Sequence, residues 1–241
     1  MTSLRKTALV AGVLYLITFI AGIPPSFLYE PVFKDPFVVR AGVDTQVAIG
    51  ALLDMATGMA GIGTAVALYP VVKLQHEGAA LGFVTTRVME AAVIFVSLVS
   101  MLAVVTLRQG GGASDPGAVA IGETLVGIRN WGHAFGPGMM PAFNALLLGY
   151  LMYRSGLVPR WMPTLGLIGA PLLLSSSIGT VLGINHPMSV WTGIATMPIF
   201  VWELSIGLYM TFRGFKPAAR LLAAPPREVY TADASATPVG A

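Results

Sequence analysis

Four ionisable residues lie inside long apolar stretches of this sequence: Asp54, Arg87, Glu90 and Glu203. A charged side chain in a membrane-spanning helix costs about 2.5–3.5 kcal/mol on insertion scales, so such residues are rare and mark candidate functional sites. A carboxyl group in this setting can carry a proton or act as a general acid, and a neighbouring arginine can hold it in an ion pair. Which chemistry applies depends on the elements that position these residues.

The composition indicates a membrane protein. The chain has 241 residues, of which 55% are hydrophobic and 10% are charged, whereas soluble domains carry about 25% charged residues. The net charge of +3 is small and the basic residues form no single stripe, which argues against a nucleic-acid partner. The absence of cysteine excludes disulfides, thiolate metal sites and cysteine nucleophiles.

The predicted fold is all-α, a polytopic transmembrane helical bundle over residues 1–216. A spanning helix needs about 20 mostly apolar residues, and six stretches qualify: 7–29, 48–72, 80–107, 136–153, 161–183 and 189–212. The first is longer than the apolar core of a signal peptide, about 7–15 residues, so we expect it to be retained. Residues 217–241, rich in Ala, Pro and Thr, predict a disordered cytoplasmic tail.

The segment between the third and fourth spans predicts a short amphipathic helix on the outer membrane surface. Its apolar positions recur at helical spacing opposite three polar residues: Val119, Leu125, Ile128 and Phe135 against Glu123, Asn130 and His133.

The basic residues predict the orientation. With the N-terminus in the cytoplasm, nine of the 14 Lys and Arg residues fall on the inside, four fall outside, and Arg87 lies within a span. The positive-inside rule then places both termini in the cytoplasm. We therefore expect a multi-pass protein of the bacterial plasma membrane, with the lipid bilayer as its partner.

Arg87, Glu90 and Glu203 are predicted to form one mid-membrane site. At 1.5 Å per residue, Glu90 and Glu203 lie roughly 15 and 13 Å from the cytoplasmic helix ends, and Arg87 shares a helix face with Glu90. The group carries one surplus negative charge, and repulsion in a low dielectric favours keeping one carboxyl protonated. Two interpretations stay open, a proton-exchanging binding site and a structural ion pair between the third and sixth spans.

Asp54 predicts a second polar site near the outer surface, roughly 9 Å deep. Arg129 or His133 is expected to pair with Asp54 there, and Asn130 is a further binding candidate near the same surface. In the alternative interpretation, Arg129 and Trp131 anchor an interfacial helix among lipid headgroups.

Asn144 adds an uncharged hydrogen-bonding group within the fourth span, a type of residue that more often joins helices than binds ligands. The three histidines fall in predicted loops or interfacial segments rather than on facing spans, so we expect no metal and no cofactor.

The chain resembles a bacterial, largely actinobacterial, integral membrane family known as domain of unknown function 4386, over roughly residues 4–216. The segments that carry the resemblance are Arg5-Lys-Thr-Ala-Leu, Gly63-Thr-Ala-Val-Ala-Leu-Tyr-Pro70, Arg87-Val-Met-Glu90, Arg129-Asn-Trp-Gly-His133 and Trp202-Glu203. The resemblance implies a polytopic membrane fold and no assigned activity.

Three functions are compatible with these features. The first is a proton-linked transporter or binding protein for a small apolar or lipidic ligand, for which six spans favour a homodimer. The second is a structural or accessory membrane subunit. The third is an intramembrane acid/base enzyme acting on a lipid or isoprenoid, with Glu90 or Glu203 as catalytic proton donor and Asp54 as partner, by analogy with helical terpene cyclases.

Overall fold

The computed structural model describes residues 3–37, 41–111 and 114–217. Within these ranges the chain forms eight helices and no strands: α1 (Ser3–Gly22), α2 (Pro24–Leu28), α3 (Glu30–Lys34), α4 (Val43–Val72), α5 (Glu77–Gln109), α6 (Pro116–Ser155), α7 (Trp161–Val181) and α8 (Val190–Phe212). The all-α prediction is confirmed. The predicted tail beyond Pro217 lies outside the described residues, as do Arg40, Arg220 and Arg227.

Five of the described segments are long and apolar enough to cross a membrane: Ser3–Leu28, Val43–Val72, Glu77–Gln109, Trp161–Val181 and Val190–Phe212. The chain is therefore a multi-pass membrane protein. Helix α6 is not among the five, because polar residues interrupt its apolar sequence, so a sixth crossing stays a prediction.

The separate amphipathic helix and fourth span predicted from the sequence are one continuous helix. Helix α6 runs for 40 residues, about 60 Å at 1.5 Å per residue. Asp115 caps its start by accepting a hydrogen bond from the Gly117 amide, and Gly156, with φ of 70°, ends it. Pro137 does not break the helix, and the hydroxyl of Ser177 on α7 donates a hydrogen bond to the carbonyl of neighbouring Gly138 at 3.1 Å.

The predicted apolar face of this segment is only partly the face that packs against the rest of the protein. Ile128 and Phe135 are exposed, whereas the buried face carries Ala118, Gly122, Val126 and Arg129. The reason is that this half of α6 continues along α5 instead of lying alone on a membrane surface. Its contact face is therefore set by small residues that permit close approach.

The six long helices form a closed antiparallel ring. Each of α4 to α7 packs against the long helix that follows it, α1 packs against α4, and α8 returns to α1. We call the end of the ring that holds Ser3 and Phe212 the first end, and the end that holds Gly22 and Val190 the second end.

A buried apolar cluster occupies the half of the ring towards the first end, with Tyr15, Phe83, Leu148 and Trp202 among its largest members. A smaller cluster around Tyr29, Val47 and Met101 lies at the second end.

Two contacts join the first and last helices of the ring. The Arg5 guanidinium donates hydrogen bonds to the carbonyls of Met210 and Thr211, each at 2.8 Å, and so satisfies backbone acceptors at the end of α8. Gly12 lies directly against α8, where a Cβ would approach the Gly207 carbonyl oxygen to 2.8 Å. The chain therefore closes its ring at a point where only glycine fits.

We expect Gly12→Ala to lower the free energy of unfolding by about 1–3 kcal/mol, because the added methyl group forces α1 and α8 apart. Thermal unfolding in detergent measures the effect. Gly193→Ala is the matched control, since no heavy atom lies within 4 Å of its added Cβ. Equal melting temperatures for the two variants would contradict the close contact.

Candidate functional site

Arg87 stands between two carboxylates in the middle of the ring. Its Nη1 lies 3.0 Å from Glu90 Oε2, and its Nη2 lies 2.7 Å from Glu203 Oε1. Nη2 also donates to the hydroxyl of Tyr15 at 3.0 Å. The arginine is only 4% exposed, so these charges interact in a medium of low dielectric constant. The structure thus brings together all three residues of the predicted mid-membrane site.

Glu90 is held by a second hydrogen bond. Asn144 donates from Nδ2 to Glu90 Oε2 at 2.8 Å, and its Oδ1 accepts a 2.6 Å hydrogen bond from Thr86. Asn144 is 1% exposed, and it fixes Glu90 rather than facing a cavity. The structure shows Asn144 holding Glu90, and a binding role for Asn144 stays a prediction.

This polar cluster joins four helices. Arg87 and Glu90 lie one turn apart on α5, so they share a face, while Tyr15 comes from α1, Asn144 from α6 and Glu203 from α8. The three charged groups sum to −1. When both carboxyls are ionised, one negative charge in the middle of the bundle is therefore not offset by an arginine of the cluster.

Asp54 belongs to a second polar group. Its Oδ2 accepts a hydrogen bond from the Tyr29 hydroxyl at 2.9 Å and lies 3.7 Å from Nη2 of Arg129. The Arg129 guanidinium also lies over the Tyr29 ring, 5.2 Å from its centroid. Arg129 is 3% exposed, so the alternative in which it anchors α6 among lipid headgroups does not describe this geometry.

A cavity of about 250 Å³ connects the two groups. All six long helices contribute to its wall, which includes Asp54 from one group and Arg87, Glu90 and Glu203 from the other. The remaining wall is largely apolar, with Phe19, Ile94, Ile199 and Phe200 among its residues. The sequence predicts two separate sites, whereas in the structure residues of both line one chamber.

The other predicted site residues differ in position. His133 lines the central cavity and also a second cavity of about 210 Å³ between α6, α7 and α8. Asn130 is exposed and lines neither of these cavities. Asn130 therefore does not join Asp54, because it points to another side of α6.

One known family covers most of the chain. The family model described as "Domain of unknown function (DUF4386)" matches residues 10–214. The chain belongs to the DUF4386 family. No curated protein and no solved structure matches it. The resemblance is thus confirmed, and the matched range contains every charged residue of both polar groups.

Two tyrosines of this DUF4386 member escape sequence reasoning. The apolar sequence around Tyr15 gives no sign of a polar contact, yet its hydroxyl accepts a hydrogen bond from Arg87. The Tyr29 hydroxyl likewise donates a hydrogen bond to Asp54. A tyrosine within an apolar span is the available signal, because its buried hydroxyl must find a partner. Which partner it finds depends on helix packing, which one sequence does not specify.

No group of three or more acidic, histidine or cysteine side chains that could hold a metal ion occurs within the described ranges. What the arrangement can do chemically is bind a polar or charged group beside apolar surface and exchange protons at its carboxyls.

We expect Arg87→Gln to lower the free energy of unfolding by about 3–5 kcal/mol, because it leaves two buried carboxylates without compensation. Adding Glu90→Gln and Glu203→Gln to this variant should recover part of the loss. Thermal unfolding in detergent measures both effects, with exposed Arg154→Gln as the control. A melting temperature for Arg87→Gln equal to that of the control would contradict the role of the ion pair.

Tyr29→Phe should lower the free energy of unfolding by about 1.5–3 kcal/mol, the usual contribution of a hydrogen bond to a charged group. A double-mutant cycle with Asp54→Asn isolates the pairwise interaction. Tyr150→Phe serves as the control, because Tyr150 is partly exposed at 39%. Additive effects of Tyr29→Phe and Asp54→Asn would show that the two side chains are not coupled.

Proposed function

We propose that the protein binds a small ligand in the central cavity and carries it across the membrane in exchange for a proton at Glu203. The observation that carries the proposal is the single cavity walled by all six long helices and by both polar groups. Its volume of about 250 Å³ is close to the lower limit of ligand pockets, about 300 Å³. A small metabolite is therefore the expected ligand.

The unfilled space beside the carboxylates favours binding over a purely structural role. An ion pair that only fixes helix register needs no unfilled space beside it. Here Glu90 and Glu203 both border the cavity, and their side chains remain 11% and 13% exposed. Functional groups that face a chamber are available to a ligand.

A route into the chamber is supported by the second cavity. The two cavities share His133, Pro137, Leu173 and Thr196 in their walls. Pro137 and Pro141 remove two backbone donors from α6 at this level, which makes it a point where the helix can bend. Movement of α6 here would connect the chamber with the second end of the ring.

The positive-inside rule supports an orientation with the first end in the cytoplasm. Seven described basic residues lie near that end: Arg5, Lys6, Lys73, Arg154, Arg160, Arg213 and Lys216. Lys34, Arg108 and Arg129 are nearer the second end. In the proposed plasma-membrane setting, the second cavity therefore opens towards the outside.

A structural role is the second candidate, and a specific observation favours it. The Arg87 cluster joins α1, α5, α6 and α8 through side-chain hydrogen bonds. A protein that only stabilises a membrane assembly would need no more than this. The two functions differ in whether Glu203 is needed for anything besides stability.

Uptake by membrane vesicles tests the proposal. Vesicles that contain the wild-type protein, supplied with a pH gradient and a cell metabolite extract, should accumulate metabolites that Glu203→Gln vesicles do not. Mass spectrometry of the washed vesicles measures the difference. The loss is expected because glutamine keeps the shape of the side chain but cannot exchange a proton.

Glu123→Gln is the matched control, because Glu123 is exposed and lines neither the central nor the second cavity. It should accumulate the same metabolites as the wild type. Identical contents in wild-type and Glu203→Gln vesicles, with both proteins folded, would overturn the transport function and leave the structural one.

A further inference from the structure

The central cavity has an excess of negative charge in its wall. Asp54, Glu90 and Glu203 line it, and Arg87 is the one Lys or Arg among its described lining residues. Nη2 of Arg129 lies 3.7 Å from Asp54 Oδ2 and compensates its charge, but Arg129 does not line the cavity. When all these groups are ionised, the two polar groups together carry a charge of −1, which opposes the entry of an anion.

Among the carboxylates in the cavity wall, Glu203 has the fewest polar partners in the described part of the chain. Glu90 accepts hydrogen bonds from both Arg87 and Asn144, and Asp54 accepts one from Tyr29 beside Arg129. Glu203 has its contact with Arg87 through Oε1. Its Oε2 has no hydrogen-bond partner among the described residues, and it is available to a ligand in the cavity.

An aromatic pair lies beside this carboxylate. Phe200 precedes Glu203 by three residues on α8 and so shares its helix face. Its ring packs edge-on against Phe19 of α1, with centroids 5.2 Å apart and an interplanar angle of 82°. Both rings line the cavity, and an aromatic face attracts organic cations, quaternary ammonium groups in particular.

We propose that the ligand is a small organic ammonium ion, held by Glu203 and the Phe19–Phe200 pair, and that its binding displaces a proton from Glu203. This inference rests on the proposed function and specifies its substrate class. In the exchange, the O–H bond of the carboxylic acid breaks, the proton leaves to water, and the carboxylate keeps the electron pair and faces the ammonium ion. A cation and a proton thus compete for one negative charge.

A hard metal ion fits this wall less well than an organic cation. Calcium takes about six to eight oxygen ligands, and no cluster of three metal-ligating side chains exists in the described part of the chain. The apolar surface of Phe19, Ile199 and Phe200 instead suits alkyl groups around a nitrogen.

Charged and titratable groups from five helices surround the proposed site. They are Tyr15 on α1, Asp54 on α4, Arg87 and Glu90 on α5, His133 on α6 and Glu203 itself on α8. Helix α7 contributes the apolar Leu173 to the wall. Among the carboxyls in this set, Glu203 has the fewest partners, so we assign the proton exchange to it.

Binding of matched cationic and neutral probes to the purified full-length protein tests the inference. Choline and 3,3-dimethylbutan-1-ol have nearly the same shape, but only choline is charged, and its charge does not change with pH. Benzyltrimethylammonium extends the test to a larger cation, with neopentylbenzene as its neutral isostere. Calorimetry should show at least tenfold tighter binding of a cation than of its isostere.

Protonation provides the second readout. As the pH is lowered through the range in which Glu203 becomes protonated, affinity for the cation should fall by up to about tenfold per pH unit, because the proton competes for the site. A pH indicator in weakly buffered solution should record up to one proton released per cation bound. Glu203→Gln should lose both the cation preference and the proton release, and Glu203→Asp should keep them in part.

A variant that fills the cavity separates failure of this inference from failure of the proposed function. Gly61 lines the cavity, and an added Cβ would meet one atom within 4 Å, Arg87 Cδ at 4.0 Å. Gly61→Leu should therefore block probe binding, whereas Gly127→Leu, outside the cavity and without a neighbour within 4 Å, should not.

The possible results separate the two proposals. Equal binding of cation and isostere, both blocked by Gly61→Leu, would retain a ligand cavity and overturn the cationic class. The cationic class is likewise overturned if no cation binds while wild-type vesicles accumulate an uncharged or anionic metabolite. Absence of binding together with identical vesicle contents for wild type and Glu203→Gln would overturn the proposed function itself.

Discussion

The ion pair of Arg87 with Glu90 and Glu203 is the interaction on which the middle of this bundle depends. An isolated charge in a low dielectric is costly, so each member is tolerated only while the others stay in place. The same requirement positions α1, α5, α6 and α8, because Tyr15 and Asn144 complete the hydrogen bonds of the charged groups. Stability and the proposed binding chemistry therefore share one set of side chains.

The sequence is enough to predict the helices and to show which charged residues lie at the same depth. Regular rise per residue is enough to place Arg87, Glu90 and Glu203 at one depth, because helix geometry converts position into height. The same reasoning predicts the contact between Asp54 and Arg129, since both residues lie near the same end of their helices. These inferences need only one dimension, distance along the helix axis.

Features that depend on the rotation of each helix about its axis cannot be predicted from the sequence alone. The contact face of α6 is set by its neighbour α5, so Ala118, Val126 and Arg129 are buried, whereas Ile128 and Phe135 lie on the outer surface of the bundle. The merging of the Asp54 group with the Arg87 group into one cavity has the same cause. Tyr15 and Tyr29 were missed because a hydroxyl finds its partner across helices, and single-sequence patterns describe one helix at a time.

The placement of Arg87 and Glu90 on one helix has a consequence for biosynthesis. The two charges lie three residues apart on α5 and form an ion pair. Helix α5 can therefore enter the bilayer with these charges neutralised before later helices are synthesised. Glu203 is on α8, the last helix of the described chain, and arrives after that pair has formed. The carboxyl that brings the surplus charge is thus synthesised after α5, when a guanidinium is already present to receive it.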